Sequence, residues 1–174
     1  MLEKFSLRLT MKQIILVANN IRSTFNVGSL FRTAEGLGIQ KVYLCGYTPY
    51  PMLKIDQRLP HIAEKLDSAI HKTALGAEHS LAWEYSNSLE EVLNLLRSRG
   101  YTLCALEQSE NSIDLTTFKS PDKVALVVGE EVNGLSADIL KACDKTLEIP
   151  MFGKKESYNV SVATAMALYQ LRFT

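Results

Sequence analysis

No stretch of this chain is long and apolar enough for a membrane span or a signal-peptide core; the longest apolar run near the start is Ile14-Ile15-Leu16-Val17-Ala18. No membrane association is expected. Cysteine is scarce: Cys45, Cys104 and Cys143 are odd in number, far apart and without a C-x-x-C pair, which excludes a disulfide framework and a cysteine zinc site. A reducing, cytoplasmic setting follows as the expectation. His61, His71 and His79 lack metal-ligand spacing and read as surface helix residues, so no metal is expected. Neither sign of charge dominates. The 19 basic and 19 acidic side chains cancel, so no global field draws the chain onto a polyanion or an anionic membrane, and a polyanionic partner has to be gripped locally. Internal repeats, low-complexity tracts and linkers are missing, as is the G-K-[ST] end of a P-loop. Gly36-Leu37-Gly38 follows a helical stretch and lacks the third glycine of the dinucleotide fingerprint. Cys45 and Cys104 lie in strand-like runs and read as core, which argues against a cysteine nucleophile.

What is there is the pattern of one α/β domain. With 174 residues, 47% hydrophobic and 22% charged, the chain is long enough to bury a real core. Residues 1–174 are expected to form a single domain. The periodic pattern begins only after Met11, which makes residues 1–12 an N-terminal arm and Met11 an alternative start. Strand-like runs at 13–18, 41–46, 81–85, 101–107, 123–129 and 145–151 alternate with helical patterns at 26–38, 60–81, 88–100, 136–143 and 159–171. The runs are continuously apolar rather than alternating, so both faces are buried and the sheet is parallel. Two irregular segments, 47–58 and 108–122, are long enough to be functional or mobile.

Ligands of parallel sheets collect beyond the carboxyl ends of the strands. After the first predicted strand comes Asn26, placed to cap a helix, then Gly28 and, one turn on, Arg32. Side chains on a helix lean toward its N-terminus, so Arg32 can lie back over the bare Gly28 and join the free N–H groups at the helix start. A cap followed by a solvated arginine accounts equally well for the spacing. After the fifth predicted strand, Gly129 and Gly134 bracket Glu131, an acid an arginine can pair with; taken alone this is a turn with a surface acid. After the sixth, Ser157 and Asn159 open the last helix, where capping is the local reading.

Taken together, "NIRSTFNVGSLFRTAEGLGI", "LVVGEEVNGLS" and "IPMFGKKESYNVSVATAMALY" resemble, in order and spacing, the three motifs of the SpoU (TrmH-like) RNA 2′-O-methyltransferases of the SPOUT superfamily. The resemblance covers nearly the whole chain from about residue 13. Asn26, Gly28 and Arg32 meet the first motif, Gly129, Glu131 and Gly134 the second, and Ile149 through Ser161 the third. Tyr158 departs from the leucine usual there, which bears on pocket shape.

The resemblance implies a mostly parallel sheet flanked by helices, closed by a C-terminal trefoil knot. It implies S-adenosylmethionine as methyl donor, leaving as S-adenosylhomocysteine, held by Gly129, Glu131, Ile149, Met151, Gly153 and Ser157. The acceptor would be a ribose 2′-hydroxyl of tRNA or rRNA. Arg32 would act on the ribose with help from a substrate phosphate, oriented together with the ribose by Asn26, Glu131, Ser157 and Asn159. Arg22, Arg32, Lys154 and Lys155 would meet the RNA. SpoU relatives pair as homodimers through the knot and build sites from both chains. The catalytic domain is expected to stand alone, with no added RNA-binding domain. A non-catalytic RNA-binding or assembly protein that keeps the knot is the alternative, and the presence of both Arg32 and Glu131 speaks against it.

Overall fold

The computed structural model describes residues 12–174. The expected arm and the Met11 start lie outside the described residues, apart from Lys12, whose ammonium donates to the carbonyls of Ser120 (3.1 Å) and Leu171 (3.4 Å). Strand β1 (Gln13–Asn19) leads into helix α1 (Thr24–Gly36), followed by β2 (Lys41–Cys45), α2 (Pro60–Ala74), α3 (Ala77–Ser80) and β3 (Trp83–Ser86). Then come α4 (Leu89–Ser98), β4 (Thr102–Leu106), β5 (Ile113–Asp114), β6 (Lys123–Val128), α5 (Ala137–Ala142), β7 (Lys145–Glu148) and α6 (Val160–Phe173). The strands form one sheet in the order β3-β2-β1-β6-β4-β7-β5, every pairing parallel.

Period-two geometry divides each central strand between two cores. Ile14, Leu16 and Ala18 of β1 pack with Leu30 and Phe31 of α1 and Leu168 of α6. Ile15 and Val17 point the other way, onto Val92, Leu93 and Leu96 of α4. Burial on both faces explains the unbroken apolar runs. Each fully buried Leu, Ile or Val contributes about 1.5–3 kcal/mol, so β1 and β6 at the centre of the sheet anchor the domain.

The order of the last strands carries the topology. From β4 the chain runs to the far edge for β5, returns to lay β6 between β1 and β4, and then crosses again to place β7 beyond β4. The fold implies the C-terminal trefoil expected from the resemblance. The general rule that chains do not thread themselves would have drawn an open doubly wound sheet instead.

Two elements differ from the sequence expectation. The helix expected over 60–81 is broken, because Leu75 and Gly76 take left-handed φ values of 52° and 97°. Glu78 fastens the break by accepting from the Gly76 N–H (2.9 Å), and the Trp83 indole N–H donates to the Glu78 carbonyl (3.1 Å). The loop expected over 108–122 contains β5, two residues paired to β7. So short a strand has no periodicity to show.

Gly28 lies in the contact between α1 and α2. A Cβ there would run into Thr73 Oγ1 and the Ile70 carbonyl and come within 2.9 Å of the Ala74 nitrogen, much of it helix backbone that cannot step aside. Gly28→Ala should therefore lose about 1–3 kcal/mol to overpacking, lowering the thermal midpoint by roughly 2–12 °C. Gly36→Ala, at a position with nothing within 4 Å of the added methyl, should leave it unchanged or raise it. Calorimetric melting of the two variants checks both.

Candidate active site at the carboxyl ends of the strands

Helix α1 begins one turn earlier than its sequence signal. Ser23, not Asn26, is the N-cap: its hydroxyl accepts from the Asn26 N–H at 3.3 Å. The consequence is that the Asn26 side chain is free to act across the loops. Its Nδ2 donates to Glu131 Oε1 at 2.7 Å, which leaves Oδ1 to accept from Asn159 Nδ2 at 3.2 Å. Asn159 in turn caps α6, its Oδ1 accepting from the N–H (2.9 Å) and hydroxyl (2.7 Å) of Ser161. Three loops that are remote in sequence are thus tied by one strip of side chains.

Glu131 is the centre of that strip. Besides Asn26 it accepts from the backbone N–H groups of Arg22 (3.1 Å) and Ser23 (3.3 Å). Partial burial works to raise its carboxyl, but the Asn26 bond and the backbone N–H groups outweigh it and hold the group below the usual glutamate range. Glu130 points beside it, accepting from the Tyr47 hydroxyl, the Asn133 amide and the Arg22 guanidinium (3.3 Å). The Tyr47 bond first, then Asn133 and Arg22, lower this second carboxyl too.

The loop after β6 folds tightly upon itself. Gly134 has φ 64° and returns its N–H to the Glu130 carbonyl at 3.1 Å. A Cβ on Gly129 would lie 2.6 Å from both the carbonyl carbon and oxygen of Gly134, so the two glycines close the loop. Glu107 fixes its far end by accepting from the Leu135 N–H at 2.9 Å.

Between this loop and the 149–158 segment lies a cavity of about 180 Å³. Leu106, Val128, Ile149 and Val160 supply its apolar surface, Glu107, Glu130, Glu131 and Glu148 its charge, and among the described residues no lysine or arginine lines it. Of the residues expected around a ligand, Gly129, Glu131, Ile149 and Ser157 line this cavity, whereas Met151 and Gly153 do not. Lys154 and Lys155 are exposed beyond it. Glu130, Glu107, Glu148 and Tyr47 were not singled out individually from the sequence; the second glutamate of "GEE" and the irregular segments 47–58 and 108–122 were the signals pointing near them.

Arg32 is the largest departure. The space above Gly28 is filled by α2, so Arg32 cannot lie back over it. Six residues on from Asn26, Arg32 sits about 120° round the helix, exposed and without a polar partner among the described residues. Glu131 is bonded to Asn26 and the backbone instead. Of the two partners open to Arg32, Glu131 or a substrate phosphate, Glu131 is not bonded to it here.

Burial pushes the thiols of Cys45 and Cys104 up to about 12 and that of Cys143 up to about 11, so none is a thiolate at neutral pH.

A model of the SpoU rRNA methylase family matches residues 13–169. The chain belongs to the SpoU family. Among its relatives are a tRNA (guanosine(18)-2′-O)-methyltransferase from Borreliella burgdorferi, 28% identical over 95% of this chain and 68% of the relative, and a 23S rRNA (guanosine-2′-O-)-methyltransferase from Neisseria meningitidis, 30% identical over 91% of this chain and 58% of the relative. The crystal structure of an AdoMet-bound rRNA methyltransferase from Sinorhizobium meliloti shares the SpoU fold, with a TM-score of 0.77 at 22% identity over 92% of this chain and 56% of that one. The chain thus spans little more than half to about two thirds of these proteins' lengths.

The Glu131 bonds set a pH expectation. A carboxyl held below its unfolded value of about 4.3 stabilises the folded loops above that pH and loses its hold as pH falls through the lowered value. The Arg22 and Ser23 amides should therefore exchange faster with solvent as pH drops below about 4.3, after correction for intrinsic rates. In Glu131→Ala they should be unprotected at every pH. Hydrogen exchange read by NMR checks this.

Proposed function

We propose that this SpoU family member transfers a methyl group from S-adenosylmethionine to a ribose 2′-hydroxyl of RNA. The observation that carries the reading is the acid-lined cavity beside the Asn26–Glu131–Asn159 strip. Four carboxylates, with no basic side chain beside them among the described residues, disfavour a phosphate-bearing ligand and suit one with positive charges. S-adenosylmethionine has two, a sulfonium and an ammonium, against one carboxylate, and its adenine suits the apolar surface. When bound, it supplies an electrophilic methyl group. S-adenosylhomocysteine lacks the sulfonium charge, so the same carboxylates hold the product less tightly.

What the chain's own residues must do is bring a 2′-hydroxyl into line with that methyl group and let its proton leave. Asn26, Asn159 and Ser157 offer neutral hydrogen-bonding groups at the cavity's edge, and Glu131 keeps Asn26 oriented. Arg32 stays charged at any working pH, so its part is to draw a phosphate and ribose into place. A homodimer supports that part. On α6, which packs beside α1, Val162, Tyr169 and Phe173 are 49%, 60% and 56% exposed at helical spacing, an apolar stripe suited to a second copy. Such a copy would bring its Arg32 toward the other protomer's cavity. The RNA is a tRNA or an rRNA, both of which occur as substrates in the names of the relatives. No helix of the described residues is long and apolar enough to cross a membrane, and the cytoplasm, where these RNAs lie, is the proposed location. A purely RNA-binding role would leave the acid cavity without use.

Calorimetry should find one S-adenosylmethionine per chain; folded protein that binds none would refute the reading. Arg32→Ala and Arg32→Lys should both lose about 10²–10³-fold in single-turnover methyl transfer, with donor affinity and melting temperature unchanged. The acceptor for that assay comes from mapping 2′-O-methyl sites in cells with and without the gene. Mixing Arg32→Ala with Glu131→Gln protein should restore part of the activity if protomers share sites. No restoration, or a sedimentation result showing an active monomer, would exclude sharing.

A further inference from the structure

A second cavity, of about 290 Å³, opens on the same sheet edge, on the other side of Tyr47 and Arg22. Its wall is a three-layer stack. The rings of Tyr85 and Tyr50 lie 4.0 Å apart at 27°, and the Arg58 guanidinium covers Tyr50 at 3.7 Å. Arg58 is pinned by Asp56 and by the carbonyls of Tyr50 (2.9 Å) and Pro51 (3.1 Å), so the stack is rigid before any ligand arrives. Residues 47–50 and 58 of the segment that is irregular in sequence therefore form part of this wall. At the rim stands Tyr47, with half of its surface (52%) in solvent.

We infer that this cavity is a stacking subsite for the base of an RNA nucleotide adjoining the methylated ribose, with Tyr47 as the rim platform and Arg22 as the phosphate contact. The inference rests on the methyl-transfer reading. Three observations lead to it. The two cavities are joined through single side chains: Glu130 lines the first, while Tyr47 and Arg22, which both bond to Glu130, line the second. A strand whose ribose reaches the Asn26–Glu131–Asn159 strip thus has its neighbouring nucleotide beside Tyr47. Charge also differs along the edge. Toward β7 and β5 the cavity wall carries Glu107 and Glu148, with Glu110 exposed nearby and Glu156 exposed beside Lys154 and Lys155. Toward β2 the edge carries Arg22, exposed and bonded to Glu130 at 3.3 Å, so a phosphate can take it over. Finally, unpaired RNA bases are held by stacking on aromatic rings and guanidinium planes, the two surfaces this cavity displays.

The test is photo-crosslinking of 4-thiouridine-labelled RNA from cells lacking the gene to the full chain loaded with S-adenosylhomocysteine, followed by peptide mapping. Crosslinks within residues 47–50 are expected. Crosslinks confined to 107–112 or 153–158, or none at all, overturn the inference. In parallel, Tyr47→Ala should raise the RNA concentration for half-maximal single-turnover rate about tenfold, while Tyr47→Phe, which keeps the ring and loses only the hydroxyl's bond to Glu130, should raise it less. Unchanged RNA dependence in Tyr47→Ala with donor bound normally sinks the subsite alone; loss of donor binding by the parent protein sinks the methyl-transfer reading.

Discussion

The insertion of β6 between β1 and β4 is the constraint on which the carboxyl edge depends. It sets the loop after β6 directly beside the start of α1, and only there can one carboxylate, Glu131, meet the Arg22 and Ser23 amides and the Asn26 side chain together. The return to β7 then delivers Asn159 to the other end of Asn26. A sheet wound in simple order would leave these three loops apart. The strand order is what positions the site.

Much of this was legible in the sequence, for reasons that also mark the limit. Continuous apolar runs such as Ile14 to Ala18 can belong only to strands buried on both faces, and the spacing of the three motifs identifies the family before any coordinate is seen. Asn26 illustrates what spacing cannot decide. Ser23 and Asn26 are both good caps, and which of them begins the helix determines whether Asn26 is spent on the backbone or free to reach Glu131. Arg32 illustrates a second limit. Helical spacing places it over Gly28, but it does not reveal that α2 already occupies that space. The break at Leu75 and the two-residue β5 leave no periodic trace at all.

The two cavities divide the chemistry by sign. One is ringed by carboxylates and the other by rings and guanidinium groups, with Glu130 between them bonded to Tyr47 and Arg22. A chain with no net charge can in this way grip a cationic small molecule and a polyanion within a single edge. Local arrangement replaces the global field that its composition lacks.

The buried thiols have a use outside the chemistry of the site. Cys104 lies in β4, inside the doubled-back part of the sheet, and Cys45 lies in β2, outside it. Both are fully shielded, with thiols pushed up to about 12, so neither reacts with an alkylating reagent until its own strand opens. Alkylation of Cys104 therefore reports the opening of β4, and alkylation of Cys45 the opening of β2.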